Sequence, residues 1–259
     1  MQNLIVASSR GSHLGKHLKS KNTCIKFESG GKIRNLTTAA VNHIKTQQVD
    51  FVYFVAGLPD ITTKLTKDFY LNGEKCRYEE IIFTEDPTAT IHRVQNIIRD
   101  AETKIKAVNA IPVFTTITPS NINRYNHHRL EKHFTSHLEY FQDYSHQQER
   151  LHTAIATINQ IIHLVNSQNE VVTPKLAQLV TYKRRGHWRY RYGRLYDGTH
   201  ATPKLNKKWA KILDIVIAKN IYKAQTSIEN TTLPDTPEVL AYFDSSEIDT
   251  DSESDCSEN

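Results

Sequence analysis

An aspartate and a histidine three residues apart are the side chains of this 259-residue sequence best suited to chemistry. They are Asp197 and His200, in the segment Leu195-Tyr-Asp-Gly-Thr-His-Ala-Thr-Pro203. A carboxylate that orients an imidazole is half of a nucleophilic catalytic site, in which the histidine acts as general base. The same spacing also occurs in turns and helix caps. A catalytic interpretation therefore needs a nucleophile, and Ser8-Ser9 near the start of the chain offers one.

Three short apolar runs in the first third of the chain each end at a serine or glycine turn. The runs and their turns are 3–7 with Ser8-Ser9, 23–27 with Gly30-Gly31, and 50–56 with Gly57-Leu-Pro-Asp60. Such runs are typical of buried strands. Sites in parallel sheets form where loops leave the carboxyl ends of the strands. We therefore expect these turns and the Asp197–His200 segment to share one site.

Helical periodicity between the apolar runs indicates an α/β fold. The clearest helices are predicted at 87–108, 147–166 and from Pro203 onward, with Asp86 and Thr202 as caps. Two further strands are expected at 110–118 and 176–182, and Asn72-Gly73 predicts an inserted β-hairpin at about 64–85. The pattern predicts a three-layer, flavodoxin-like sheet of about five mainly parallel strands with helices on both faces.

The charge is distributed unevenly along the chain. From Leu233 onward there are nine Asp or Glu residues and no Lys or Arg, which leaves 19 acids against 33 bases in residues 1–232. We expect residues 1–230 to form the folded domain and residues 231–259 to form an acidic, Ser-rich, disordered tail. A basic body favours polyanionic partners. A purely structural or interaction role, with the tail as the working part, is a further hypothesis.

The order of these turns resembles that of the SGNH (GDSL-type) hydrolases over roughly residues 3–222. That family places a nucleophilic Ser after the first strand, a Gly after the second, a Gly-x-Asn-Asp turn after the third and a late Asp-x-x-His. The resemblance implies that Ser9 is the nucleophile, His200 the base and Asp197 the acid that orients it. It implies an oxyanion hole with backbone donors at Ser9 and Gly31 or Gly30. Gly57 and Asp60 flank the third block.

The sequence departs from the family at two of these blocks. Ala7-Ser8-Ser9 stands where the family has Gly-Asp-Ser, and Pro59 stands where the family has the Asn whose amide completes the oxyanion hole. Loss of one oxyanion donor typically lowers the rate about 10²–10³-fold. A slow or specialised esterase and an inactive descendant are both compatible with this pattern. Arg10 is a candidate for a replacement positive charge, or is simply solvated.

The segment Lys183-Arg-Arg-Gly-His-Trp-Arg-Tyr-Arg-Tyr-Gly-Arg194 has the most unusual composition of the chain. Guanidinium groups bind phosphates and aromatic rings stack on bases, so the alternative function is an inactive SGNH fold that binds nucleic acid or another polyanion. The resemblance also extends to proteins of mobile genetic elements or viruses. Because the segment precedes Asp197, it could instead line the same cleft as His200 and recognise an anionic ester. The candidate residues are Arg10, Lys183, Arg184, Arg185, Trp188, Arg189, Tyr190, Arg191 and Arg194. In the structural alternative, their aromatic rings pack on the body and their cations are solvated.

Several classes of protein do not fit the composition. No stretch of 18 apolar residues and no amino-terminal charged-then-apolar pattern is present, so we expect neither a membrane span nor a signal peptide, and an intracellular location in cytoplasm or nucleus. Cys24, Cys76 and Cys256 lack the spacing of a zinc site. His133 and His137 are four residues apart without the metalloprotease Glu between them. We expect no metal and no cofactor; the partner expected is an ester or anionic small molecule, and the oligomeric state is left open.

Overall fold

Four apolar strands form a parallel sheet in the first of the two units into which the chain divides, Met1–Lys223 and Ala224–Asn259. The computed structural model describes residues 1–11, 13–71, 74–133 and 142–232. The sheet strands are β1 (Asn3–Ala7), β2 (Thr23–Phe27), β3 (Phe51–Val55) and, numbered after the hairpin below, β6 (Ile111–Phe114). Their order is β2-β1-β3-β6, with Leu4 opposite Cys24 on one side and Val52 on the other.

Helices cover both faces of this sheet. On one face Leu4, Val6, Val52 and Phe54 pack in one apolar cluster with residues of α1 (Ile33–Ile44), α3 (Pro87–Lys106) and α5 (Ser145–Gln168). On the other face the long α6 (Pro203–Thr232) lies against β3, where Asn220 Nδ2 donates to the Tyr53 hydroxyl at 3.2 Å. Both faces of β1 and β3 are thus buried, which is why these strands are almost wholly apolar.

The predicted caps begin two of these helices. Asp86 accepts a hydrogen bond from Ala89 N at 2.9 Å before α3, and Thr202 Oγ1 accepts one from Leu205 N at 3.3 Å in the first turn of α6. Two shorter helices, α2 (Leu58–Ile61) and α4 (Ile122–His133), lie in loops on the carboxyl side of the strands. The last residues of α6, 224–232, belong to the second unit; of the predicted acidic tail, residues 233–259 lie outside the described residues.

The inserted hairpin is present and forms a two-stranded sheet of its own. Its strands β4 (Thr63–Leu71) and β5 (Glu74–Ile82) pair antiparallel from Thr63–Ile82 to Leu71–Glu74. The predicted turn at Asn72-Gly73 lies outside the described residues. Asn126 of α4 fastens the hairpin to the body, because its side chain accepts from Ile81 N at 2.8 Å and donates to Ile81 O at 2.9 Å.

The α/β architecture with helices on both faces is confirmed, whereas the fifth strand predicted at 176–182 is not part of the sheet. Leu176–Leu179 forms one turn of 3-10 helix instead. The next residues form β7 (Thr181–Arg184), which pairs antiparallel with β8 (His187–Tyr190) in a separate hairpin. An apolar run predicts that a segment is buried but not which strand it pairs with. Here the run is buried against α6, where Trp209 Nε1 donates to Leu176 O at 3.1 Å. In the described part of the chain, no helix is both long and apolar enough to cross a membrane.

Gly57, between β3 and α2, has a backbone that other residues rarely adopt. Its φ is +120°, and a Cβ added to it would lie 2.4 Å from Ile117 Cδ1. We predict that Gly57→Ala lowers the free energy of unfolding by about 2–4 kcal/mol, because it adds both backbone strain and overpacking. Urea unfolding measures this. Gly193→Ala is the matched control, since nothing lies within 4 Å of its added Cβ; equal stability of the two variants would contradict the prediction.

Candidate active site

The Asp197–His200 segment is a tight turn in which one carboxylate holds the imidazole. Asp197 Oδ1 accepts from the backbone N of Thr199 at 2.9 Å and of His200 at 2.7 Å, and Oδ2 lies 2.6 Å from His200 Nδ1. Gly198 makes the turn possible, because its φ is +85° and a Cβ there would lie 2.6 Å from Asn121 O. With Nδ1 directed to the carboxylate, Nε2 is the ring nitrogen left for proton transfer.

Asp197 is held in its charged form although it is buried. Burial by itself would raise the pKa of Asp197. The hydrogen bonds from the His200 ring and from the backbone of His200 and Thr199 outweigh burial and hold the pKa below its ordinary value. An ionised carboxylate behind Nδ1 stabilises the imidazolium that forms when the histidine accepts a proton. The predicted acid and base are therefore brought together in the geometry that general-base chemistry needs.

Ser9, and not its neighbour Ser8, faces the same cleft as His200. Ser8 is buried, and both its backbone N (3.1 Å) and its hydroxyl (3.4 Å) are directed to Val55 O in β3. Ser9 begins the turn Ser9–Gly11 at the carboxyl end of β1 and lines the cleft. None of the hydrogen bonds among the described residues joins Ser9 Oγ to His200. Contacts of this kind often form only when substrate binds.

The cleft has a volume of about 530 Å³. Ser9, Gly30, Thr199 and His200 are among the residues that line it. Other lining residues come from parts of the chain whose role the sequence did not reveal. They are Thr63, Lys64, Glu79 and Ile81 of the inserted hairpin, and Tyr125 and Arg129 of α4. The i, i+4 spacing of Tyr125 and Arg129 could have indicated that both side chains share one helix face. The many polar residues around them obscure that pattern.

The two glycines after β2 have different roles. Gly31 N donates to Glu28 O at 3.0 Å, so the N–H that the resemblance favoured for the oxyanion hole closes a turn instead. Gly30 has a φ of +68° and lines the cleft. None of the hydrogen bonds among the described residues uses the backbone N–H of Ser9 or of Gly30. These two groups are the donors that the structure leaves available for an oxyanion.

The third block serves to fix the loops relative to one another. Asp60 is buried, and its two carboxylate oxygens lie 3.0 and 3.2 Å from Ile33 N at the start of α1. Its own carbonyl accepts from Arg93 Nη1 at 2.6 Å. Asp60 thereby ties the Gly30 turn to the Gly57 turn. Gly57 itself packs on Ile117, and it is Leu58 and Pro59 that line the cleft.

Arg10 lies in the interior, contrary to the expectation that it contacts an anion or solvent. Only 7% of the residue is exposed, and its guanidinium donates to Thr118 O at 2.5 Å and to Ser120 Oγ. Burial lowers the pKa of Arg10 to about 10, an effect opposed by the negative charge of Asp197. The group therefore stays charged at neutral pH and balances Asp197. The arginine that follows Ser9 is thus a buried charge that the negative charge of Asp197 helps to stabilise.

The basic aromatic segment forms the β7–β8 hairpin and does not line the cleft, contrary to the expectation drawn from its place in the sequence. Its turn is Arg185-Gly186, both with positive φ. Tyr190 and Tyr192 pack on His152, with ring centroids 4.1 and 6.0 Å away, and Arg194 donates to Leu179 O at 2.5 Å. Of the candidate binding residues in this segment, the exposed ones are Lys183, Arg184, Arg185, Trp188, Arg189 and Arg191.

The described residues contain no group of three or more His, Cys, Asp or Glu side chains arranged to hold a metal ion. His137, one member of the histidine pair considered above, lies outside the described residues, as does Cys256. Cys24 and Cys76 are free thiols.

Comparison with solved structures identifies the fold. A GDSL-like lipase from Bacteroides thetaiotaomicron superposes with a TM-score of 0.52 and 13% identity, over 86% of this chain and 88% of that one. A provisionally assigned acylhydrolase from Bacteroides fragilis gives a TM-score of 0.52 and 12% identity, over 86% and 87%. No protein-family model and no curated protein matches the sequence. The structural likeness confirms at the level of fold what the order of the turns predicted: the chain has the SGNH (GDSL-type) hydrolase fold.

The burial of Asp60 makes a prediction about stability and pH. Burial raises the pKa of Asp60 to about 6, although the hydrogen bond from Ile33 N and the charges of Lys32 and Arg93 oppose the rise. A carboxyl group whose pKa is higher in the folded protein than in the unfolded chain stabilises the fold at pH values below its unfolded pKa. This contribution is lost as the pH rises through about 6. Asp60→Asn keeps an acceptor for Ile33 N without the charge. We predict that its stability relative to wild type improves by about 2–3 kcal/mol between pH 4 and pH 7.

Urea unfolding of both proteins across this pH range measures the difference. Asp86→Asn is the matched control, because that carboxylate also accepts a helix N–H but is exposed to solvent. If the free energy of unfolding of Asp60→Asn changed with pH in parallel with that of wild type, ionisation of Asp60 would not destabilise the fold.

Proposed function

We propose that this protein is a serine hydrolase that cleaves esters, with Ser9 as nucleophile, His200 as general base and Asp197 as the acid that orients it. The observation that carries the proposal is the 2.6 Å contact between Asp197 Oδ2 and His200 Nδ1, beside a cleft that Ser9 also lines. The SGNH hydrolase fold supports it, since solved structures with this fold include a GDSL-like lipase.

The mechanism follows from the roles of these groups. Ser9 Oγ attacks the ester carbonyl carbon while its proton passes to His200 Nε2, and Asp197 stabilises the imidazolium. The tetrahedral oxyanion accepts hydrogen bonds from the backbone N–H groups of Ser9 and Gly30. The imidazolium then protonates the leaving alcohol, which departs as the acyl-serine forms. Water, deprotonated by the same imidazole, releases the acid and restores Ser9.

Pro59 limits the expected rate. A proline at this position supplies neither a side-chain amide nor a backbone N–H, so the oxyanion has two donors. The missing donor corresponds to about a 10²–10³-fold lower kcat. We therefore expect slow ester hydrolysis, and the assay should be designed for slow turnover.

Labelling with a serine-directed fluorophosphonate tests the nucleophile without depending on turnover. We predict that wild type is labelled, that Ser9→Ala is not, and that Asp197→Asn is labelled at least about 100-fold more slowly because the imidazole loses the charge that orients it. Intact-protein mass spectrometry measures the adduct.

Ser8→Ala is the matched control, because that hydroxyl is directed into the interior toward Val55 O. It should label at the wild-type rate. The proposal is refuted if Ser9→Ala labels as well as wild type, or if wild type is not labelled at all.

A second candidate function is binding of single-stranded nucleic acid by the β7–β8 hairpin. Two observations favour it: Trp188 is 63% exposed, and none of the exposed hairpin cations forms a salt bridge with a described carboxylate. Arg184 and Arg189 lie on one face of the hairpin, whereas Lys183 lies opposite Trp188 on the other. Cations on both faces without a carboxylate partner in the described part of the chain, with an exposed indole beside Lys183 on one of the faces, are the elements of a stacking and phosphate-binding surface.

Fluorescence anisotropy with a labelled single-stranded oligonucleotide tests this function. We predict that affinity falls as salt rises from about 50 to 200 mM, and that Arg184→Gln/Arg189→Gln reduces the slope of log K against log salt by about 1.4, for two lost phosphate contacts. Trp188→Ala should weaken binding with an unchanged slope.

The control is Arg34→Gln/Arg99→Gln, which removes two exposed arginines from the helices α1 and α3. It changes the net charge equally but leaves the hairpin intact. Binding that does not depend on salt, or an equal loss in the two double variants, would exclude the hairpin as the binding surface.

A further inference from the structure

The cleft beside His200 is electropositive. Lys32, Lys64 and Arg129 line it, against a single carboxylate, Glu79. Glu79 is already paired with Lys64 at 3.2 Å, so it does not neutralise the other two cations. Asp197 does not do so either, because it is buried and balanced by Arg10. Two positive charges are therefore left for whatever occupies the cleft.

Arg129 is the cation in this cleft that is set up to bind a ligand. Its Nε is buried without a hydrogen-bond partner, and none of the hydrogen bonds or salt bridges among the described residues involves its side chain. A buried polar group without a partner costs about 1–3 kcal/mol, and more when it is charged. Lys64 is paired and Lys32 is exposed. Of these three cations, Arg129 alone has a buried nitrogen without a hydrogen-bond partner among the described residues.

Arg129 is also close to the catalytic histidine. It follows Tyr125 by one helical turn on α4, and the ring centroids of Tyr125 and His200 are 6.3 Å apart. Burial raises the pKa of Tyr125, and the positive charge of Arg129 opposes that rise. The same charge acts on Tyr196, whose ring stacks on His200 with centroids 5.7 Å apart. An anion held by Arg129 would thus lie within one small substrate's length of the reacting carbonyl.

Thr199 provides a second, independent unmet group. Only 6% of the residue is exposed, it lines the cleft, and its Oγ1 is buried without a partner. It directly precedes His200 in the chain. A hydroxyl and a guanidinium that both lack partners in one cleft indicate a ligand with acceptor oxygens.

We propose that the cleft selects esters that carry an anionic group, a carboxylate or a phosphate, with Arg129 binding the anion and Thr199 Oγ1 donating to it. The ester part of this assignment rests on the function proposed above; the anion site itself does not. Arginine suits the role, because its planar donors match both carboxylate and phosphate.

Binding to the Ser9→Ala variant tests the anion site without turnover. Monomethyl succinate and monobutyl phosphate are the anionic probes, and dimethyl succinate is the neutral probe, each titrated by NMR so that weak binding is measured. We expect at least one of the two anionic probes to bind at least about tenfold more tightly than the diester. Adding the substitution Arg129→Gln should weaken the binding of that anion about 10–100-fold. Arg129→Lys should restore part of it. The probe that binds more tightly shows whether the site prefers a carboxylate or a phosphate.

Arg99→Gln, an exposed position on α3 outside the cleft, is the matched control and should leave all three affinities unchanged. Thermal unfolding of each variant verifies that the fold is intact. Absence of binding by both anions, equal binding of anions and diester, or full anion affinity in Arg129→Gln would overturn the proposal. A tenfold preference that persists although fluorophosphonate labelling fails would refute the hydrolase function alone.

Discussion

The arrangement of the cleft depends on the hydrogen bonds that the buried guanidinium of Arg10 donates. Arg10 follows Ser9 directly and donates to Thr118 O and Ser120 Oγ, so it fixes the first turn of the chain to the segment after β6. The same segment holds the last turn, because Asn121 N donates to Gly198 O at 2.8 Å. Residues 118–121 therefore join the two ends of the domain. Without that junction, Ser9 and His200 would have no fixed relation.

The hydrogen bonds from His200 and Thr199 explain why a buried Asp197 keeps its charge, and that charge in turn favours the charged form of Arg10. A carboxylate in the interior normally takes up a proton unless cations or hydrogen-bond donors stabilise its ionised form. Here three donors contact the carboxylate oxygens, and the negative charge that they stabilise opposes the fall in the pKa of Arg10. The mutual dependence follows: each of the two buried charges would be costly alone. Asp60 differs, because a hydrogen bond from Ile33 N and the charges of Lys32 and Arg93 only partly offset its burial, and its pKa stays raised to about 6.

The sequence was sufficient for the elements that obey local rules. Continuous apolar runs predicted β1 and β3, a mixed strand pattern before Gly30-Gly31 predicted β2, and the Asp86 and Thr202 caps predicted where α3 and α6 begin. The segment 176–182 shows the limit, because its apolar residues are buried by α6 and not by a neighbouring strand. The same limit applies to Arg10, Gly31 and Arg129. Whether a cation is buried, or an N–H is already bonded, depends on residues more than a hundred positions away or on a turn that spacing does not reveal.

The central claim is that Ser9, His200 and the Gly30 turn act together on one ester group of a substrate. A crystal structure of the phosphonate adduct tests it most directly. The account predicts a covalent bond from phosphorus to Ser9 Oγ, a phosphoryl oxygen within hydrogen-bond distance of the backbone N of Ser9 and Gly30, and His200 Nε2 facing the leaving-group position. A phosphonate bound to another residue, or a phosphoryl oxygen directed away from both N–H groups, would contradict it.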